Sequence, residues 1–116
     1  MINAVHLMIY SKDAAADRAF LRDVLGLPHV DDGDGWLIFA MPPAELGVHP
    51  TDDAEHHEIM LMCADIETTV ADLKGKGVEV TRPVRDDGWG LTTELRLPGG
   101  GAIALYQPKH QRAVTP

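Results

Sequence analysis

The residues of this chain best suited to chemistry are six histidines and one cysteine, and most of them stand alone. Cys63 lies in an apolar stretch with no sequence neighbour to activate it, which fits a small buried hydrophobe better than a nucleophile. As the single cysteine it excludes an intramolecular disulfide and a cysteine-based zinc knuckle. His56 and His57 sit in a polar, acidic segment where solvated imidazoles are the norm, and His49 and His110 have no partner at metal-motif spacing. His6 is different. It is matched 52 residues later by Glu58, within two segments of one design: His6-Leu7-Met8-Ile9-Tyr10-Ser11-Lys12-Asp13 and Glu58-Ile59-Met60-Leu61-Met62-Cys63-Ala64-Asp65. An imidazole and a carboxylate at equivalent strand positions can form an ion pair. With Glu58 buried and His6 orienting it, the pair could instead act as a general base without metal. No phosphate-cradling loop is present, since Pro98-Gly99-Gly100-Gly101 precedes a strand rather than a helix. No Ser-His-Asp or Cys-His arrangement stands out.

The elements that must position these residues repeat as well. Residues 3–10 alternate as a strand, with His6, Met8 and Tyr10 on one face. Asp13 is a helix N-cap; Ala16, Ala19, Phe20, Val24 and Leu27 follow at helical spacing, and Gly26 is the stop. A faint strand around His29-Val30, the turn Asp31 to Gly35, a buried strand Trp36 to Ala40 and a strand Glu45 to His49 complete the first unit. The second unit runs strand 58–63, Asp65 cap, helix 66–76 with Ile66, Val70 and Leu73 on one face, stop at Gly77, strand 78–81, strand 91–97, a Gly-rich turn and strand 102–107. The order β-α-β-β-β therefore appears twice, as two half-modules unable to bury their apolar faces alone. A single α+β domain over residues 1–116 is expected, with modules at about 3–50 and 58–107, a linker at 51–57 and a tail at 108–116.

The totals exclude several classes. Apolar residues make up 45% of the 116, so the chain is globular. A formal charge of −8 argues against nucleic acid or an anionic membrane as partner and would suit a cationic ligand. No signal-peptide pattern or membrane-spanning apolar run occurs, and a cytoplasmic protein is expected.

The paired strand-Asp-helix openings and the closing hairpin Leu97-Pro98-Gly99-Gly100-Gly101-Ala102-Ile103-Ala104-Leu105 resemble the vicinal oxygen chelate superfamily, the glyoxalase, bleomycin-resistance and extradiol-dioxygenase group. The resemblance spans His6 to Gln107. It implies two βαβββ modules whose sheets curl into a cup with helices outside. It also implies metal ligands on the first and last strands of each module, here His6, Gly47, Glu58 and Ala104. Two of these four can ligate a metal and two cannot, so the implied site is partial.

The face that carries His6 and Glu58 would also carry Met8, Tyr10, Met60, Met62 and Tyr106, with Trp36 and Trp89 at the rim. Thioethers and aromatic rings together suit a flat or irregular apolar ligand. Two function classes follow. One is a metal-free protein of the bleomycin-resistance type that binds a small apolar, aromatic or cationic molecule and needs no cofactor. The other is an enzyme (a lyase, isomerase or ring-cleaving dioxygenase) in which His6 and Glu58 help hold a divalent metal. Metal-free acid–base catalysis, with Glu58 as base and His6 orienting it, stands beside these as a third reading. The resemblance and the open sheet edges imply a homodimer.

Overall fold

The computed structural model describes residues 6–45, 47–48, 50–54 and 56–112. The elements in chain order are helix α1 (Ala14–Ala19), a π-helical turn (Phe20–Val24), strands β1 (His29–Asp31), β2 (Leu37–Phe39) and β3 (Met60–Met62), helix α2 (Ile66–Gly75), and strands β4 (Arg85–Asp86), β5 (Gly90–Arg96) and β6 (Ala102–Pro108). This is a small α+β fold with mixed sheets.

The second half forms as the sequence leads one to expect. The Asp65 carboxylate accepts from Thr68 N–H at 3.1 Å, satisfying one of the free donors at the start of α2. Ile66, Val70 and Leu73 then bury one helical face. The helix stops at Gly77, whose φ of 84° lets Val78 N–H reach back to the Leu73 carbonyl at 3.0 Å. The sheet order is β3-β6-β5-β4, with β3 and β6 parallel and the other pairs antiparallel. Side chains alternate across it. Leu95, Leu97, Ile103 and Leu105 face α2 and join Ile66, Val70, Leu73, Val78 and Phe20 in the core. Met60, Met62, Thr92, Glu94, Ala104 and Tyr106 therefore occupy the other face.

The edge beside β5 departs from the strand expected at 78–81. Val80 bridges Leu95, and pairing resumes only at Arg85 opposite Thr92. Residues 81–84 thus face Thr93 and Glu94 as a bulge, and Pro83, lacking an N–H, sits where no ladder bond is required. Arg82 fills the gap, donating to the Thr92 carbonyl at 3.0 Å and to Thr92 Oγ1 at 3.1 Å.

The first half matches its expectations less well. Asp13 caps α1 as expected, accepting from Ala16 N–H at 3.1 Å. The helix then widens at Phe20–Val24, where Leu25 N–H bonds to the Phe20 carbonyl at 3.2 Å. The extra residue in that turn brings Leu21 and Leu25, beside Phe20 and Val24, against the core. The faint strand at His29-Val30 is real and pairs antiparallel with β2. Yet β2 is half-buried rather than well buried. Residues 6–10, expected as a strand, are irregular and exposed. Strands persist when a ladder partner satisfies their amides, and among the described residues β3, the natural neighbour, pairs with β6 alone. Glu45, Gly47 and Val48 are likewise irregular, while Leu46 and His49 of that expected strand lie outside the described residues.

A buried hydrogen bond, the Asp17–Gly99 clasp, helps join the halves. Asp17, 6% exposed on α1, accepts from Gly99 N–H at 2.7 Å across 82 residues of chain. A Cβ at position 99 would collide with Ser11 Oγ and lie 2.8 Å from Asp17 Oδ2, so a larger residue there makes these side chains shift.

Candidate functional site

Strand register places the candidate side chains. On the sheet face turned away from α2, Met62, Tyr106, Thr92 and Arg85 form one row, and Met60, Ala104 and Glu94 form the next. Neighbours within such rows lie about 5 Å apart at Cβ, so each row is a continuous surface.

Tyr106 is the anchor of this face and is 9% exposed. Its ring meets Trp89 edge-on with centroids 5.3 Å apart, and His110 lies on a further side at 6.1 Å. Gly90 makes room for it, since a Cβ there would stand 3.2 Å from Tyr106 Cδ2 and 2.9 Å from the Gln107 carbonyl. Burial raises the Tyr106 phenol above its ordinary value, and the Glu45 carboxylate adds to the rise, while Arg112 opposes it. Glu45 and Arg112 are themselves joined as a half-buried ion pair. The C-terminal segment that carries Arg112 is tied down on the way: Lys109 N–H donates to the Trp89 carbonyl at 2.9 Å, and Lys109 Nζ donates to Asp86 at 2.6 Å.

The other end of the face is polar. Thr92, 2% exposed, donates to Asp87 at 2.7 Å and accepts from Arg82. Arg85 grips Asp87 at 2.6 Å and, with Thr92, holds its carboxyl below the usual carboxylate range. Glu94 accepts from Thr81 Oγ1 at 2.8 Å and stands opposite Ala104. The face is thus two-toned, apolar and aromatic at Met60, Met62, Trp89 and Tyr106, hydrogen-bonding at Thr92, Glu94, Arg82 and Asp87.

The sequence-derived residues are only partly brought together. Met60, Met62, Tyr106 and Trp89 form one surface. Met8 is 52% exposed and lines, with Ile9, His57, Ile59, Leu97, Ala102 and Ile103, a small cleft of 210 Å³. Tyr10 is 94% exposed, and Trp36 instead receives the Arg18 guanidinium 4.5 Å from its ring centroid. His6 is exposed, and Glu58 pairs with His56 Nε2 at 3.7 Å rather than with His6. With both side chains in solvent, neither the burial nor the ion pair expected of them is present, because the strand meant to carry His6 is not formed.

The donor set can be tested directly against a divalent cation. Of the four implied positions, His6 and Glu58 are exposed, Gly47 has no side chain, and Ala104 has no donor. Among the described residues no three histidine, cysteine, aspartate or glutamate side chains come together. The described residues at these positions do not fit a metal, and no reaction step is derived through one. Cys63 is partly buried, its thiol raised above the ordinary value chiefly by that burial.

Sequence reasoning did not single out Glu94, Thr92, Arg82 or Arg112. Alternation along 91–97 carried the signal for Thr92 and Glu94, which share parity with Tyr106 once the hairpin register is fixed. Nothing local announces the Arg112 contact.

A family model for the Glyoxalase/Bleomycin resistance protein/Dioxygenase superfamily matches residues 3–105. The chain belongs to this superfamily. Among solved structures, this superfamily member is similar to TnmS3, an antibiotic binding protein from Streptomyces sp. CB03234, at 25% identity and a TM-score of 0.68, covering 93% of this chain and 98% of that one. It shares its fold with a Glyoxalase/bleomycin resistance protein/dioxygenase superfamily member from Sphaerobacter thermophilus at 22% identity and a TM-score of 0.60, covering 91% and 98%. A lactoylglutathione lyase from Agrobacterium tumefaciens shares the fold at 17% identity and a TM-score of 0.63, covering 91% and 94%. No curated protein matches the sequence. Among the described residues, no helix is long and apolar enough to cross a membrane.

Proposed function

We propose that this protein binds a small apolar or aromatic molecule on the face formed by Met60, Met62, Trp89 and Tyr106. The carrying observation is that these four come from three separate chain segments onto one surface, with Tyr106 held by its ring contacts. Rigid aromatics beside adaptable thioethers recognise flat apolar molecules, and the Glu94 carboxylate beside them can accept a hydrogen bond that fixes orientation. The similarity to an antibiotic binding protein supports a binding role.

The same reading takes the chain as one domain of two modules, about 3–50 and 58–107, working in the cytoplasm as a homodimer. Leu7, Met8, Ile9, Tyr10 and Val48 are all exposed, and β3 keeps one edge unpaired among the described residues. A partner's first strand laid along that edge would bury them and close the face into a cup. Light scattering is expected to give twice the 12.6 kDa chain mass; a monomer at micromolar concentration would refute the dimer.

Binding is tested with 2-naphthol, a neutral flat aromatic, in a Trp36→Phe protein so that Trp89 is the reporter. Saturable quenching is expected, weakened by about tenfold in Tyr106→Ala, the loss of one aromatic contact. Absence of saturation, or binding indifferent to Tyr106 and Met62, would reject the proposal.

A further inference from the structure

Register places a carboxylate inside the proposed binding face rather than beside it. Met60 on β3 stands opposite Ala104 on β6, and Ala104 stands opposite Glu94 on β5. At about 4.8 Å per strand, Glu94 lies about 10 Å from Met60. The middle member of this row is the smallest, so a notch separates the thioether from the carboxylate. Met62 and Tyr106 stand two residues further along the same face. A flat molecule resting on Met60, Met62 and Tyr106 therefore has Ala104 beneath its edge and Glu94 within reach of a short side arm.

Glu94 is half-buried, and its direction is fixed. Its Oε1 accepts from Thr81 Oγ1 at 2.8 Å, which holds the side chain in one orientation. Its Oε2 accepts from no donor among the described residues. Since no side-chain oxygen there is both buried and unpartnered, Oε2 is open to the outside. Glu94 takes part in none of the ion pairs among the described residues. Arg82, on the bulge alongside, gives both amino nitrogens to Thr92, and the Thr92 hydroxyl goes on to Asp87. A carboxylate half out of water, fixed in direction and with no ion-pair partner among these residues, is a ready acceptor for a ligand's cation. We infer that Glu94 receives the ammonium of an aryl-alkylamine whose rings lie over Met60, Met62 and Tyr106 and whose short alkyl arm crosses the Ala104 notch. The assignment rests on the reading of this face as a binding site and adds the charge and spacing of the ligand. The formal charge of −8 draws such cations toward the protein.

The test titrates the protein calorimetrically with 2-naphthylmethylamine, which is protonated at about pH 7, with its neutral isostere 2-naphthylmethanol and with the anion 2-naphthoate. The amine is expected to bind about fivefold tighter than the alcohol, and the anion weakest. In Glu94→Gln, which keeps the shape of the side chain, the ratio of amine to alcohol should fall to about one. Glu94→Asp, which keeps the charge, should retain part of it. Thr81→Val should also lower the ratio, because Thr81 positions the carboxylate; a merely structural role would weaken both ligands alike and leave the ratio where it was. Equal affinity for amine and alcohol in the wild-type protein overturns the inference. So does a preference that survives Glu94→Gln, since the net charge of the chain would then be its source. If naphthoate binds best and loses that advantage in Arg82→Gln, Arg82 is the recognition group and Glu94 is not. Should the alcohol bind with dependence on Tyr106 while the amine gains nothing over it, the assignment of Glu94 fails alone. Failure of all three probes to bind removes the binding reading with it.

Discussion

The two halves of this chain follow one plan and finish differently. In the second half, α2 covers a four-stranded sheet whose central strands supply Leu95, Ile103 and Leu105, each at most 6% exposed. In the first half, a six-residue helix, the π-helical turn after it and a two-stranded hairpin contribute, among the described residues, only Phe20 of the turn to the buried apolar core. Val30 and Trp36 of that hairpin region stay 64% and 52% exposed. The repeated Asp cap and helix therefore form in both copies, but a layer becomes a core only when a second layer covers it. The second copy has its cover within the chain. The first copy has no such cover among the described residues.

The largest effect separating the halves should come from the core. Leu95→Ala is expected to lose about 3 kcal/mol in urea unfolding, and Val30→Ala less than about 0.5 kcal/mol. Comparable losses would mean that the hairpin is buried in the working assembly. Next comes the clasp. Gly99→Ala forces a Cβ against Ser11 and Asp17 and is expected to cost about 2 kcal/mol. Hydrogen exchange should show the loss concentrated in α1 and the turn after it, with α2 and β5 still protected. Uniform deprotection would show that the halves unfold as one unit.

Helix capping is a smaller probe of the same contrast. Asp65→Ala should remove about 1 kcal/mol from a ten-residue helix packed along its length. Asp13→Ala, at a helix of six residues, should remove less, and the reverse order in thermal melts would make α1 the better-anchored helix. The smallest effects are electrostatic. Asp86, paired with Lys109, and Asp87, paired with Arg85, are held below the ordinary carboxylate value of 3.8. Groups so depressed contribute stability above their unfolded values and lose it as pH falls through the folded ones, so the loss belongs below about pH 4. Acid unfolding of Asp86→Asn and Asp87→Asn should show a shallower slope there, and unchanged slopes would leave these pairs without effect. Tyr106 runs the other way. Its phenol holds its proton above 10.0, so its contribution is present below that value and fades as pH rises through the folded pKa. Near-ultraviolet difference absorbance in a Tyr10→Phe protein should place phenolate formation above pH 10 and lower in Glu45→Gln.

Local chemistry was legible in the sequence wherever it was sufficient. Asp13 and Asp65 cap their helices, Gly77 ends α2 with a positive φ, and alternation places Met60, Met62 and Tyr106 on one face. The superfamily was legible too, from the paired openings and the final hairpin, and the family match over residues 3–105 agrees. Whatever depended on a neighbour was not legible. Alternation over residues 3–10 describes a strand with a partner, and residues 6–10 have no place in the described sheets. The π-helical turn at Phe20–Val24 and the bulge beside Thr93 answer to packing and to Pro83 rather than to periodicity. The Glu45–Arg112 pair joins residues 67 positions apart with no local signature.

The Asp17–Gly99 clasp has a further consequence, which appears when the chain is followed in time. Its two ends are separated by 82 residues, and Glu45 and Arg112 by 67. The first half leaves the ribosome early but has nothing to dock on until β5, the turn at Gly99 and β6 have been made. Contacts between residues so far apart in sequence form late, after the ladders within the second half have closed their shorter loops. For much of synthesis Phe20, Leu21, Val24 and Leu25 are therefore an uncovered apolar segment of a nascent chain, the state in which small proteins aggregate or engage chaperones. Substitutions that loosen the clasp should lower the yield of soluble protein by more than their equilibrium cost would suggest.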